Sequence, residues 1–247
     1  MARLRDLIIP REHGIWGLLA GAALVGLPLG SSLAGLPLLG AGICAAMLRQ
    51  AMSVRAAGRS RFVMAALLAA LAAGLVSLTV MLATSTAWAW WLLAAVLVGS
   101  VCLLPFAGRP WWVSAIAGLS TGLLTAAVAV AGGAGTGAAA IAGTALAAHL
   151  TAIVPLVRAQ LRADPRWSAL ALELHVIPFA GATALWSADL VAAGIPLVFG
   201  LGLARTVCLL DKHSPMLLSP ARIGTREMAW LLVVAAGVHC GVQGPAC

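Results

Sequence analysis

Residues 59–83 read RSRFVMAALLAALAAGLVSLTVMLA. After Arg61 the run carries no charge, and its apolar residues are consecutive rather than alternating. A lipid-facing barrel strand would alternate with a period of two, whereas an alanine- and leucine-rich run of this length spans a hydrocarbon core as a helix, which satisfies its own backbone. Working outward, eight further stretches have the same character, giving spans at 12–30, 33–50, 61–83, 87–106, 111–132, 137–161, 167–187, 189–210 and 224–243. The expected fold is all-α: a polytopic membrane bundle of nine transmembrane helices forming a single domain over 1–247.

The whole composition agrees. The chain is 62% hydrophobic and 9% charged, against roughly a quarter charged residues in soluble domains. The joints between spans are short and rich in turn residues: Gly30-Ser31-Ser32, Thr84-Ser85-Thr86, Gly108-Arg109-Pro110 and Gly132-Gly133-Ala134-Gly135. The one longer connection, 211–223, contains Pro215 and Pro220 and is expected to be irregular. Interior prolines at 28, 37, 155, 178 and 196 are expected to free backbone carbonyls. Gly17 with Gly21, and Gly118 with Gly122, form small-residue faces for close helix packing.

Orientation follows from charge. All 15 lysines and arginines fall in the N-terminal arm or at the ends of stretches that share one side of the membrane. Basic residues stay cytoplasmic in short loops, so the N-terminus is expected inside and the C-terminus outside. The net charge of +8 is thereby assigned to topology and to anionic headgroups at the cytoplasmic face, not to nucleic acid. Trp88, Trp90, Trp91 and Trp186 are expected at the outer boundary, and Trp16, Trp111, Trp112, Trp167 and Trp230 near the inner one. Cys44, Cys102 and Cys208 lie towards cytoplasmic ends, where thiols stay reduced, whereas Cys240 and Cys247 lie at the opposite end and could pair. No metal-ligand spacing occurs among the cysteines.

Ionisable residues inside spans are expensive and therefore candidates for function. Glu173 lies about two turns into the seventh stretch, with Arg158 near the end of the sixth as the expected partner. His175 is two positions on and points to another face. His149 is deeper still, where a packing role is the simpler reading. Two compact groups stand at helix entries. In the first, Arg11, Glu12 and His13 follow Pro10; in the second, Glu227 follows Ile223-Gly224-Thr225-Arg226. The acids suit the positive end of a helix, and Arg11 with His13 exceeds what capping requires.

Pro10-Arg11-Glu12-His13-Gly14-Ile15-Trp16-Gly17 resembles the P-R/K-E-H-G-x-W opening of the YwiC-like family of bacterial membrane proteins. The resemblance extends to Leu48-Arg49-Gln50, to Val157-Arg158 and Leu161-Arg162 with the downstream His175, and to Ile223-Gly224 with Glu227. It implies a multi-pass protein of the bacterial cytoplasmic membrane and brings no activity with it. The helix count, with polar segments after the second and sixth helices, is similar to the UbiA-type intramembrane prenyltransferases. Those enzymes hold magnesium and a prenyl diphosphate on aspartate-rich motifs at these two places. Here the segments carry Arg49, Arg55 and Arg59, and Arg158, Arg162 and Arg166, with Asp164 as the one acid.

The leading expectation is a membrane-embedded binding protein or enzyme with a cytoplasm-facing basic pocket. It would be lined by Arg11, Glu12, His13, Arg49, Arg158, Arg162, Glu173, His175 and Glu227. Its ligand would be an anionic amphiphile, an isoprenoid or a phosphorylated small molecule, held by bidentate arginine contacts. No cofactor is expected; magnesium enters only under the alternative of a UbiA-like transferase acting on a diphosphate. The remaining alternative is a small-molecule transporter, with His149, Pro155 and Pro196 along its path.

Overall fold

A computed structural model describes residues 13–53, 58–82, 111–162, 165–211 and 220–243. They form eight α-helices: α1 (His13–Gly26), α2 (Leu36–Ser53), α3 (Gly58–Leu82), α4 (Trp111–Ala131), α5 (Thr136–Arg162), α6 (Pro165–Ser187), α7 (Gly194–Asp211) and α8 (Pro220–Gln243). Two short 3-10 turns, Leu27–Leu29 and Leu33–Gly35, link α1 to α2. No strand occurs among the described residues. The expected span at 87–106, with Trp88, Trp90 and Trp91, lies outside them.

Among the described residues, three helices are long and apolar enough to cross a membrane: Phe62–Leu82, Thr136–Leu161 and Pro165–Ser187. Shorter apolar helices cover Trp16–Leu29, Leu33–Leu48, Ile116–Ala131 and Gly194–Leu210. Several are apolar outside as well as inside. Ile177, Leu185 and Trp186 are exposed on α6, and Phe62, Leu67, Leu71 and Met81 on α3. A helix that is hydrophobic all round belongs in an apolar medium. Hydroxyls inside the helices obey the same constraint, since Thr79, Ser120, Thr121, Thr125 and Thr183 each donate to the carbonyl four residues earlier.

α1 lies between two groups of packed side chains. On one side Ala22 meets Leu38 and Leu39 of α2 and Leu124 and Val128 of α4. On the other, Val25 joins Leu146 and Leu150 of α5, Val198 and Phe199 of α7, and Leu231, Val234 and Val238 of α8. The closest approach is between α4 and α5. A Cβ built on Gly122 would lie 2.3 Å from the Gly143 carbonyl oxygen, and one on Gly118 would lie 2.6 Å from Thr151 Oγ1. The Gly118–Gly122 face therefore brings backbones together. Gly17 and Gly21 instead meet side chains, Met228 and Leu146, at ordinary contact distances of 3.5 and 3.4 Å.

Several boundaries differ from the sequence reading, and the starts of α7 and α8 do so for local reasons. α7 begins at Gly194, not 189, because the chain first closes α6 with Asp189 in the left-handed region (φ 56°). The Leu190 amide donates to the Leu185 carbonyl and the Asp189 amide to that of Trp186, the paired bonds of a Schellman cap. Pro196 consequently falls in the first turn of α7, where no amide is needed, and Pro37 does the same in α2. Only Pro155 and Pro178 sit inside helices. α8 starts at Pro220, which shortens the expected 211–223 loop and puts Trp230 in the middle of the helix, not near its end. Cys240 is a free thiol.

The α4–α5 contact yields a direct test. Gly122→Val should lower thermal stability in detergent by about 2 kcal/mol or more through overpacking against backbone. Gly74→Ala, with nothing within 4 Å of the added carbon, should leave stability unchanged or raised by up to about 1 kcal/mol.

Candidate functional site

Glu227 stands in the apolar stripe of α8. Ile223, Leu231, Val234 and Val238 are buried along the same face, and the four-residue steps 223, 227 and 231 turn the carboxylate inward with them. A lone carboxylate there would be costly to desolvate. It is met by two guanidinium groups: Arg205 of α7 pairs with Oε1 through Nη2, and Arg226 approaches the same oxygen at 3.5 Å. Arg226 also donates to the side-chain oxygen of Gln160 on α5. The Arg205 guanidinium lies 5.1 Å from the centre of the Trp230 ring, in a cation–π contact.

Two histidines lie below this layer. On α6, Ala171, His175 and Ala182 are the buried positions, so the helix turns His175 inward. Its Nδ1 donates to the Ala171 carbonyl at 2.7 Å. A carbonyl oxygen can only accept, so the neutral ring carries its proton on Nδ1 and presents Nε2 as a lone pair. His149 of α5 is 4% exposed and lies within charge–charge range of His175 and Arg205. His175 in turn feels Arg205 and Glu227. His149 and Gln160, eleven residues and three turns apart, share a face of α5. At 1.5 Å per residue, Arg205 lies about 9 Å from the end of α7, Glu227 about 10 Å from the start of α8, His175 about 15 Å into α6, and His149 about 20 Å from the end of α5. The groups descend from the arginine-bearing end of the bundle towards its middle.

The polar atoms left over define what the cluster can do. Arg205 Nη1, Arg226 Nε, Gln160 Nε2, Glu227 Oε2, His149 Nε2 and Thr206 Oγ1 are buried without a hydrogen-bond partner. Three of these can only donate, and one can only accept. With two guanidiniums against one carboxylate, the surplus is positive and donor-rich. Such a set fits an anion. It does not fit magnesium, which needs carboxylate or phosphate oxygens, because the one carboxylate of the cluster is already engaged by both arginines. Among the described residues no group of three His, Cys, Asp or Glu could hold a metal ion.

Of the nine residues expected from sequence, the structure brings His175 and Glu227 into this cluster. Glu173 does not join it. Glu173 is exposed on the outer face of α6, beside Leu172, Val176 and Ile177, because two residues on a helix differ by about 200° and His175 takes the inward face. Arg158 stacks on Trp167, its guanidinium 4.5 Å from the ring centre. Arg11, Glu12, His13, Arg49 and Arg162 lie outside the side chains the structure describes. The sequence reading did not place Arg205, Arg226, Gln160, Thr206 and Trp230 in the pocket, although it named Arg226 in the group beside Glu227 and Trp230 as a boundary residue. Arg205 met the same depth criterion as Glu173, since five apolar or small residues follow it before α7 ends.

No protein-family model, curated protein or solved structure matches the chain. The resemblances to YwiC-like and UbiA-type proteins thus rest on the residues quoted for them.

The ion pair predicts a non-additive pair of substitutions. Glu227→Ala strands Arg205 and should cost about 3 kcal/mol in thermal or denaturant unfolding. Adding Arg205→Met should recover part of that loss; a double variant as damaged as the two singles summed would contradict the pairing.

Proposed function

We propose that this chain is a multi-pass protein of the bacterial cytoplasmic membrane that binds an anionic, phosphate-class group at its basic end. In this reading the eight described helices and the 87–106 stretch cross the bilayer, with the N-terminus and the arginine-bearing ends on the cytoplasmic side. Support for that orientation is that all 15 lysines and arginines fall in the N-terminal arm or towards one set of ends of the apolar stretches in the sequence.

The observation that carries the function is the donor surplus around Glu227. Arg205 Nη1, Arg226 Nε and Gln160 Nε2 are buried donors without acceptors, and an anion supplies acceptors to all three. The layer lies about 10 Å inside the helix ends, within reach of a headgroup or a phosphorylated small molecule arriving from the cytoplasm. Trp230 provides an apolar wall beside Arg205. Low dielectric strengthens such charge-assisted bonds and shields them from salt. The ligand is thus an anionic amphiphile or a small phosphorylated molecule, recognised by its charge.

Titration of the full chain in phosphatidylcholine nanodiscs with phosphatidic acid and with inorganic phosphate tests this reading. Arg226→Gln should weaken binding at least about tenfold, the loss of one charge-assisted hydrogen bond. Glu173→Gln, on the outer face of α6, should leave it unchanged. Equal affinities for Arg226→Gln and the parent chain would exclude the cluster as the binding site.

A further inference from the structure

Thr206 differs from the four helical threonines that bond back to their own helix. It is fully buried, at 0% exposed, yet its hydroxyl has no partner, whereas Thr79, Thr121, Thr125 and Thr183 donate back to the preceding turn. Thr206 shares a face of α7 with Gly202, one turn away. A Cβ at Gly202 would lie 3.7 Å from Cδ2 of His175 and 3.9 Å from the Trp230 ring. The Cδ2 edge of the His175 ring, which leads on to Nε2, therefore lies against α7 at the level of Gly202. His149 Nε2, also buried and unpartnered, belongs to the same region beneath Arg205.

These atoms have a different chemistry from the arginine layer above them. They are neutral, and they offer both an acceptor and a donor. An alcohol hydroxyl satisfies both needs at once, because it donates one hydrogen bond and accepts through its own oxygen. A phosphate oxygen that lacks a proton can only accept and would leave His175 Nε2 without a donor.

We infer that His175, Thr206 and His149 form a second, neutral subsite below the arginine layer, and that the ligand is a phosphate-class anion carrying a hydroxyl on its attached alcohol. The hydroxyl donates to His175 Nε2 and accepts from Thr206 Oγ1, while the anionic group lies against Arg205, Arg226 and Gln160. This rests on the anion reading given above and narrows its ligand to polyol phosphates, either free or as a lipid headgroup.

Two matched pairs of probes test the subsite on the full chain in phosphatidylcholine nanodiscs. Glycerol phosphate is compared with propyl phosphate, and phosphatidylglycerol with phosphatidylpropanol; within each pair only the hydroxyls differ. The parent chain should bind the hydroxyl-bearing member of one pair about tenfold more tightly, and the pair that responds tells a soluble ligand from a lipid. Thr206→Val and His175→Gln should bring that ratio close to one, and Thr206→Ser should keep it. Binding of both members with a ratio of one in the parent chain, or a ratio untouched by both variants, overturns the subsite and leaves the anion site standing. Absence of binding by all four probes overturns the anion site and the subsite with it.

Discussion

Glu227 can occupy the apolar stripe of α8 only because Arg205 and Arg226 reach it from either side. A largely buried carboxylate between Ile223 and Leu231 needs a cation, and each cation then needs its own partners. That requirement ties α8 to α7 through Arg205 and to α5 through Arg226 and Gln160. Trp230 adds its ring to the same knot. The registration of three helices at the basic end therefore follows from one charge.

The opposite constraint acts along α4 and α5. There the sequence removes side chains instead of pairing them, and Gly118, Gly122 and Gly143 let the two backbones meet. α5 is accordingly anchored by backbone contact on one face and carries His149 and Gln160 on another. Close packing on one side of a helix and polar partners on the other is an arrangement that fixes both depth and rotation. It gives the buried histidine a defined place relative to α6 and α7.

The helices were legible in the sequence because apolar runs, turn residues and charge clusters alternate along it, and the eight described helices fall on the expected stretches. Their ends were less so. Asp189 caps α6 by a left-handed conformation that composition does not announce, and Pro220 was read as loop although it opens α8. For the site, depth alone was an inadequate guide. It selected Glu173, which faces outward, and passed over Arg205, which faces inward. Rotation about the helix axis decides between them. For Glu227 the flanking Ile223 and Leu231 carried that information, and for His175 so did Ala171 and Ala182. Gln160, an uncharged residue beside three arginines, gave no comparable signal before α8 was seen against α5.

The outward carboxylate of Glu173 has a consequence for the surroundings of the molecule. If α6 crosses a bilayer, an ionised group on its exposed face must stay at the level of water and headgroups, and Trp186 favours the interface at the other end. Thirteen residues separate the two, about 20 Å of helix against a hydrocarbon core of roughly 30 Å. The mismatch is met by thinning the bilayer beside α6. Thinning would draw the headgroup layer inward along this flank, to the depth at which Arg205 and Glu227 lie, so that lipid phosphates would border the cluster from the side.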